Sequence, residues 1–174
     1  VGTSNQFNNS TVFWQMDNIG NIRSGKIMAY ETATGKRRKN KDGKPLINWV
    51  HSALKLPEFN LKQCLFGLHL LNDNVKQVAI VESEKTALIM NIEFPNYTWM
   101  STGSLQGFKH EYLAPLKGTA IIAFPDKEGY VQWQKTADIL NDKGFEIEVS
   151  QFLENKKYDD GWDLVDVLNY ESKK

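Results

Sequence analysis

Two kinds of apolar pattern divide the chain. Before residue 76 the apolar runs are short, rich in β-branched and aromatic residues, and separated by polar stretches. Residues 11–17 (TVFWQMD) and 22–31 (IRSGKIMAYE) predict a β-hairpin, because the intervening Asn18-Ile19-Gly20-Asn21 is turn-prone. TGKRRKNKDGKP (34–45) has no large apolar residue and predicts an exposed basic loop. Residues 46–71 hold short apolar pieces interrupted by Pro57, which predict short helices or strands. From residue 77 the pattern alternates. Residues 77–81 (QVAIV), 97–100, 119–124 (TAIIAF) and 145–149 predict strands. Residues 84–92, with Ser83 placed as N-cap, 131–143, and 164–168 predict helices. The 131–143 helix sets Trp133, Ala137 and Leu140 on one face and is closed by Gly144. The N-terminal VGTSNQFNNS is polar, reads as a loop, and suggests that the chain is a piece of a longer protein.

Nearly continuous apolar strands alternating with helices imply a mainly parallel sheet covered on both faces. The expected organisation is a small basic subdomain at 1–75 and an α/β domain at 76–174. Sites on such sheets lie beyond the carboxyl ends of the strands. Glu82, residues 101–104 (STGS) and Asp126 stand at those ends, and Asp163 precedes the last helix.

Composition and charge narrow the function. The 174 residues are 41% hydrophobic and 24% charged, which suits a folded domain. No run reaches the roughly 18 apolar residues that span a bilayer, so no membrane segment is expected and the cytoplasm is the simple location. The single Cys64 excludes an internal disulfide and a zinc ribbon, and no GxxxxGK[ST] segment is present. Residues 1–76 carry 11 Lys/Arg against 5 Asp/Glu, and the remainder 10 against 16. A basic part joined to an acidic part suits a phosphate-rich partner plus a metal site. Mg²⁺ or Mn²⁺ prefers carboxylate oxygens and keeps several waters, so a few Asp/Glu on converging loops suffice. Arg23, Lys26, Lys36, Arg37, Arg38, Lys39, Lys41 and Lys44 are candidates for a nucleic-acid backbone, with Trp14, Tyr30 or Trp49 available for stacking. Each also has a plain structural role open to it. Glu82 suits a helix N-terminus, Asp126 a turn, Asp163 an N-cap, Gly103 a turn, and Trp14 and Tyr30 a core. His51, His69 and Cys64 read as structural.

VAIVESEKTALIM (78–90) resembles the first motif of the topoisomerase–primase, or Toprim, family, in which a strand ends in a Glu followed by a helix. STGS (101–104) resembles the glycine-containing turn after that family's second strand, and IIAFPDKEGYVQWQKTADIL (121–140) its Asp-x-Asp motif. GWDLVDVL (161–168) resembles the late acidic segment of phage- and plasmid-type primases. The basic part is similar to the small subdomain preceding Toprim in primase-like proteins of mobile elements, such as uncharacterised ones of gut Bacteroidetes. The resemblance implies a Toprim-like Rossmannoid fold, with Glu82 as general base or acid and Glu82, Asp126, Asp163 and Glu128 as Mg²⁺ or Mn²⁺ ligands. Glu84, Lys85 and Gly103 would be accessory. The Asp-x-Asp pair departs from the pattern. Either Phe124 stands where the first Asp belongs, or Glu128 replaces the second. The implied function is Mg-dependent nucleotidyl or phosphoryl transfer on nucleic acid, as in a DNA primase, in replication or mobilisation of a mobile element. A catalytically weakened nucleic-acid-binding module and a Toprim nuclease are the alternatives. Single-stranded DNA and a helicase or other replication protein are the implied partners.

Overall fold

The computed structural model describes residues 1–173, which divide into two units at Cys64/Leu65. The first unit is built on an antiparallel sheet in sequence order, β1 (Gly2–Ser4), β2 (Ser10–Met16), β3 (Ile22–Met28) and β4 (Ile47–Trp49), followed by the single-turn α1 (Val50–Ala53). The hairpin expected from the apolar pattern is β2–β3. Its turn is organised by Asp17, whose Oδ1 accepts the amides of Ile19 (3.1 Å) and Asn21 (2.9 Å) while Gly20 takes φ +86°. Arg23 closes the turn with an ion pair to Asp17 at 2.6 Å. Those bonds hold the carboxyl at about 2 against its burial, which pushes the other way.

The start of the chain is not the loop expected from its polarity. Gly2–Ser4 pairs with Ser10–Val12 as β1. A strand without apolar alternation leaves no periodic signal, and a side chain at Gly2 would come within 2.8 Å of the Trp14 indole nitrogen. The basic segment is also more ordered than expected. Arg37 bridges to Tyr30 and Lys39 to Pro45, so the segment continues as a narrow ribbon.

The second unit carries β5 (Gln77–Val81), α2 (Glu84–Glu93), β6 (Thr98–Ser101), α3 (His110–Leu113), β7 (Ala120–Phe124), α4 (Tyr130–Asn141), β8 (Glu146–Val149) and α5 (Leu164–Glu171). It begins before residue 76, because Phe66 and Ser101 exchange backbone hydrogen bonds of 3.0 Å in both directions. The sheet order is β6-β5-β7-β8 and every pairing is parallel. β5 is flanked on both sides, and its Val78, Ala79, Ile80 and Val81 are buried on both faces. The crossovers β5–α2–β6 and β7–α4–β8 run in opposite directions across the sheet. Right-handed connections therefore put α2 and α4 on opposite faces. The reversal makes the gap between the ends of β5 and β7 the topological switch point. α4 is fixed by Trp133, fully buried, stacked on Phe108 at 4.2 Å and donating its indole N–H to the Leu105 carbonyl at 3.0 Å. Ser83 occupies the N-cap position of α2, but its side chain makes no capping bond, contrary to the expectation from its residue type.

Candidate functional site

Glu82 follows β5 directly and Asp126 follows β7 by one proline, so each faces the switch point from one side. The structure brings them together. The Asp126 amide donates to Glu82 Oε1 at 3.3 Å, and both side chains are half-buried. The turn after β6 joins the same place from the third strand. Thr102 N–H donates to the Val81 carbonyl at 3.0 Å and Gly103 N–H to the Glu82 carbonyl at 2.8 Å, with Gly103 at φ +78°. Gly103 therefore acts through its backbone conformation, in a region that a larger side chain enters only with strain. Thr102 Oγ1 holds the turn by donating to the Ser104 carbonyl at 2.7 Å.

Asp163 sits elsewhere in the scheme. It is the N-cap of α5, with Oδ1 accepting the amides of Val165 (2.9 Å) and Asp166 (3.0 Å) in a reciprocal capping box. Its Oδ2 accepts the hydroxyl of Thr86, a fully buried residue of α2, at 2.5 Å. Both oxygens are thus engaged, Oδ1 in capping α5 and Oδ2 in tying it to α2. Glu128, in the loop after Asp126, is exposed and has φ +77°. Glu84 is buried in the first turn of α2, with 1% of its surface exposed, and Lys85 beside it is half-buried.

Among the described residues no group of three His, Cys, Asp or Glu stands close enough to hold a metal ion. The four carboxylates named from the sequence therefore do not form one cage: Asp163 caps a helix and Glu128 is exposed. Glu82 and Asp126 remain as a pair. Mg²⁺ commonly takes one or two protein carboxylates and completes its shell with water and substrate phosphates. The pair fits an ion held jointly with a phosphate.

In one of the two alignments that the sequence allows with the Toprim motif, Phe124 stands where the first Asp belongs. Its ring centroid lies 5.7 Å from that of Trp99, and the two line an apolar cleft of about 260 Å³ with Met90, Phe94, Tyr97, Phe152 and Leu164. Two residues that no local pattern singled out support the loop after β7. Glu154 Oε1 accepts the amides of Glu128 (3.0 Å) and Tyr130 (3.4 Å). Lys127 donates its amide to the Trp162 carbonyl at 2.9 Å, and its ammonium binds the Tyr158 carbonyl and stands 3.4 Å from Asp160.

In the first unit Lys36, Arg37, Lys39, Lys41 and Lys44 are exposed on the basic ribbon. The other cations named from the sequence are placed differently. Lys26 is buried in β3, Arg23 is paired with Asp17, and Arg38 donates to the Phe7 and Asn8 carbonyls at 2.8 and 3.1 Å. Trp14 and Tyr30 are half-buried, and Tyr30 meets Phe13 edge-on at 6.2 Å. His51 accepts or donates at 2.9 Å to Ser24 and stacks on Phe59 at 4.8 Å. No helix among the described residues is long and apolar enough to cross a membrane.

Comparison with known proteins agrees with this architecture. Residues 1–127 match the family model described as "Domain of unknown function (DUF6371)", and the chain belongs to that family. No curated protein matches it. Among solved structures it is similar to the primase fragment of the bacteriophage T7 primase-helicase protein, with TM-score 0.51 and 20% identity over 81% of this chain and 53% of that one. It is also similar to the RNA polymerase domain of the Mycobacterium tuberculosis primase DnaG, with TM-score 0.55 and 16% identity over 93% of this chain and 51% of that one. A third is the Aquifex aeolicus primase (zinc-binding and RNA polymerase domains), with TM-score 0.59 and 14% identity over 98% of this chain and 39% of that one. The chain spans about half the length of the first of these. At these identities the likeness is one of fold: a mixed α/β, primase-like, Toprim-like domain that follows a small β-rich unit in the sequence.

Proposed function

We propose that the chain is a primase-like protein acting in Mg-dependent nucleotidyl or phosphoryl transfer on nucleic acid, in the replication or mobilisation of a mobile element. The observation that carries this reading is the hydrogen bond from the Asp126 amide to the Glu82 carboxylate, across the switch point of a primase-like sheet. Glu82 would receive or return the proton at the reacting hydroxyl, since it is the carboxylate held between two strand ends. Glu82 and Asp126 would hold Mg²⁺ together with substrate phosphate oxygens. When bound, the ion supplies neutralisation of the charge that develops on those oxygens. Lys36, Arg37, Lys39, Lys41 and Lys44 would contact the backbone of single-stranded DNA, with a helicase or other replication protein as partner.

Primer synthesis on single-stranded DNA with Mg²⁺ or Mn²⁺, compared between wild type and Glu82→Gln, tests the assignment. The expected loss is on the order of 100-fold or more, the scale of a positioned acid or base. Equal product from the two proteins sinks the role of Glu82.

One observation favours a second reading, a binding module with weakened catalysis. Phe124 packs against Trp99 at a position where a metal-binding carboxylate is otherwise expected. That reading predicts salt-dependent binding of single strands with no need for metal, and no primer product.

A further inference from the structure

The turn that carries Asp126 is not self-supporting. Gly129 N–H returns to the Asp126 carbonyl at 2.8 Å, and Glu128 between them takes φ +77°, a left-handed conformation unfavourable for a residue with a side chain. A side chain on Gly129 would meet that same carbonyl at 2.9 Å, so the turn is also sterically tight. Its outward-facing amides, those of Glu128 and Tyr130, both end on Glu154 Oε1. Glu154 comes from the short 3₁₀ turn Phe152–Glu154 after β8, which buried Leu153 and, further on, buried Tyr158 anchor to the unit. From that same stretch the Tyr158 and Trp162 carbonyls take the ammonium and amide of Lys127.

From this geometry we infer that Glu154 is a positioning residue for the Asp126 carboxylate. The assignment rests on the reading of Glu82 and Asp126 as the metal-binding pair. Glu154 fixes the amides on one side of the turn and the Asp126 amide fixes Glu82 on the other, so the separation of the two carboxylates depends on the Glu154 contact. A carboxylate is the fitting residue there, because it accepts two amides at once and its charge suits the N-terminal end of α4. Lys127 serves the same turn, its ammonium held by the Tyr158 carbonyl and Asp160.

The test is titration of the full chain with Mn²⁺ alone, read by the electron paramagnetic resonance of free Mn²⁺. Supporting residues behind a metal ligand typically carry about 10- to 100-fold in affinity, and that is the loss expected for Glu154→Ala. Glu154→Gln keeps an oxygen that accepts the same amides and should hold the affinity within about threefold of wild type. Hydrogen exchange at the Glu128 and Tyr130 amides should accelerate in Glu154→Ala and stay slow in Glu154→Gln, a readout independent of metal. Wild-type affinity in Glu154→Ala, alongside a loss in Glu82→Gln, overturns this inference and leaves the metal pair standing. Wild type that takes up no Mn²⁺ overturns the metal pair, and the positioning role with it. Should Glu154→Ala fail to fold, Glu154→Asp withdraws the oxygen by one methylene, and unchanged Mn²⁺ affinity in that variant also overturns the inference.

Discussion

Asp163→Ala separates a helix cap from a metal ligand more sharply than any other single change in the second unit. The side chain accepts the amides of Val165 and Asp166 at 2.9 and 3.0 Å and the Thr86 hydroxyl at 2.5 Å. Losing an N-cap of this type costs roughly 1 kcal/mol, within a range of about 0.5–2. A hydrogen bond to a charged acceptor contributes about 1.5–3 kcal/mol, and its loss here leaves a buried hydroxyl unsatisfied. The expected cost is therefore about 3 kcal/mol, large against the total stability of about 5–15 kcal/mol for a domain. Urea unfolding followed by circular dichroism measures it, with the slope m checked for constancy between variants.

Thr86→Val removes the hydroxyl while nearly keeping shape, and the double variant completes a cycle. Because the two side chains touch, their coupling should be about 1–2 kcal/mol, where independent sites add to within about 0.5 kcal/mol. Asp163→Asn keeps the capping oxygen and should recover part of the loss. A cost below about 0.5 kcal/mol for Asp163→Ala, or additivity with Thr86→Val, refutes the reasoning, since either outcome means that the contacts seen carry no net stability.

Two further expectations concern the first unit. The Asp17 carboxyl is lowered to about 2 by the Asn21, Arg23 and Ile19 bonds, which outweigh burial. Because the folded value lies below the unfolded one of about 3.9, the contribution is complete above that pH and is lost as pH falls toward 2. Acid unfolding of Asp17→Asn should lack that slope, and an unchanged acid profile refutes it. Burial, with the Asp17 charge adding, pushes the Cys64 thiol up to about 11 against the opposing effect of Arg23. Cys64 should therefore react with a thiol reagent at pH 8 only on unfolding, and rapid labelling of native protein contradicts this.

The parallel sheet was legible because its central strand β5 is buried on both faces, which the continuous apolar run 78–81 announces directly, and because β7 is apolar throughout although only Ile121 and Ala123 are fully buried. Strand ends then pointed to Glu82 and Asp126 without further information. β1 was hidden for the opposite reason: its three residues are polar or glycine, and pairing with β2 depends on backbone groups that every sequence has. Lys26 illustrates a second limit. In isolation it counts as one more cation, and only its place in the hairpin register, opposite Phe13 and Trp49, shows that it is buried. Glu154 was invisible because its partners are amides more than twenty residues away, and an amide carries no residue identity. Asp163 was visible as an acidic residue before a helix, a pattern shared by caps and ligands. The Thr86 hydroxyl on its second oxygen is a contact between distant segments that spacing does not disclose.

The reduction from four candidate ligands to two changes the chemistry that the site can support. Four carboxylates around one ion would fill most of its coordination shell and would more than cancel its charge. Two would just balance the ion's charge and leave several exchangeable positions, which water and phosphate oxygens are suited to fill. Such a site needs its two carboxylates held at a fixed separation, because no third or fourth ligand corrects an error in their placement. Backbone bonds tie the strand ends together: Thr102 and Gly103 donate to the Val81 and Glu82 carbonyls, and the Asp126 amide to the Glu82 side chain. It follows that the Asp126 turn, with its strained Glu128, is the element on which the arrangement depends most.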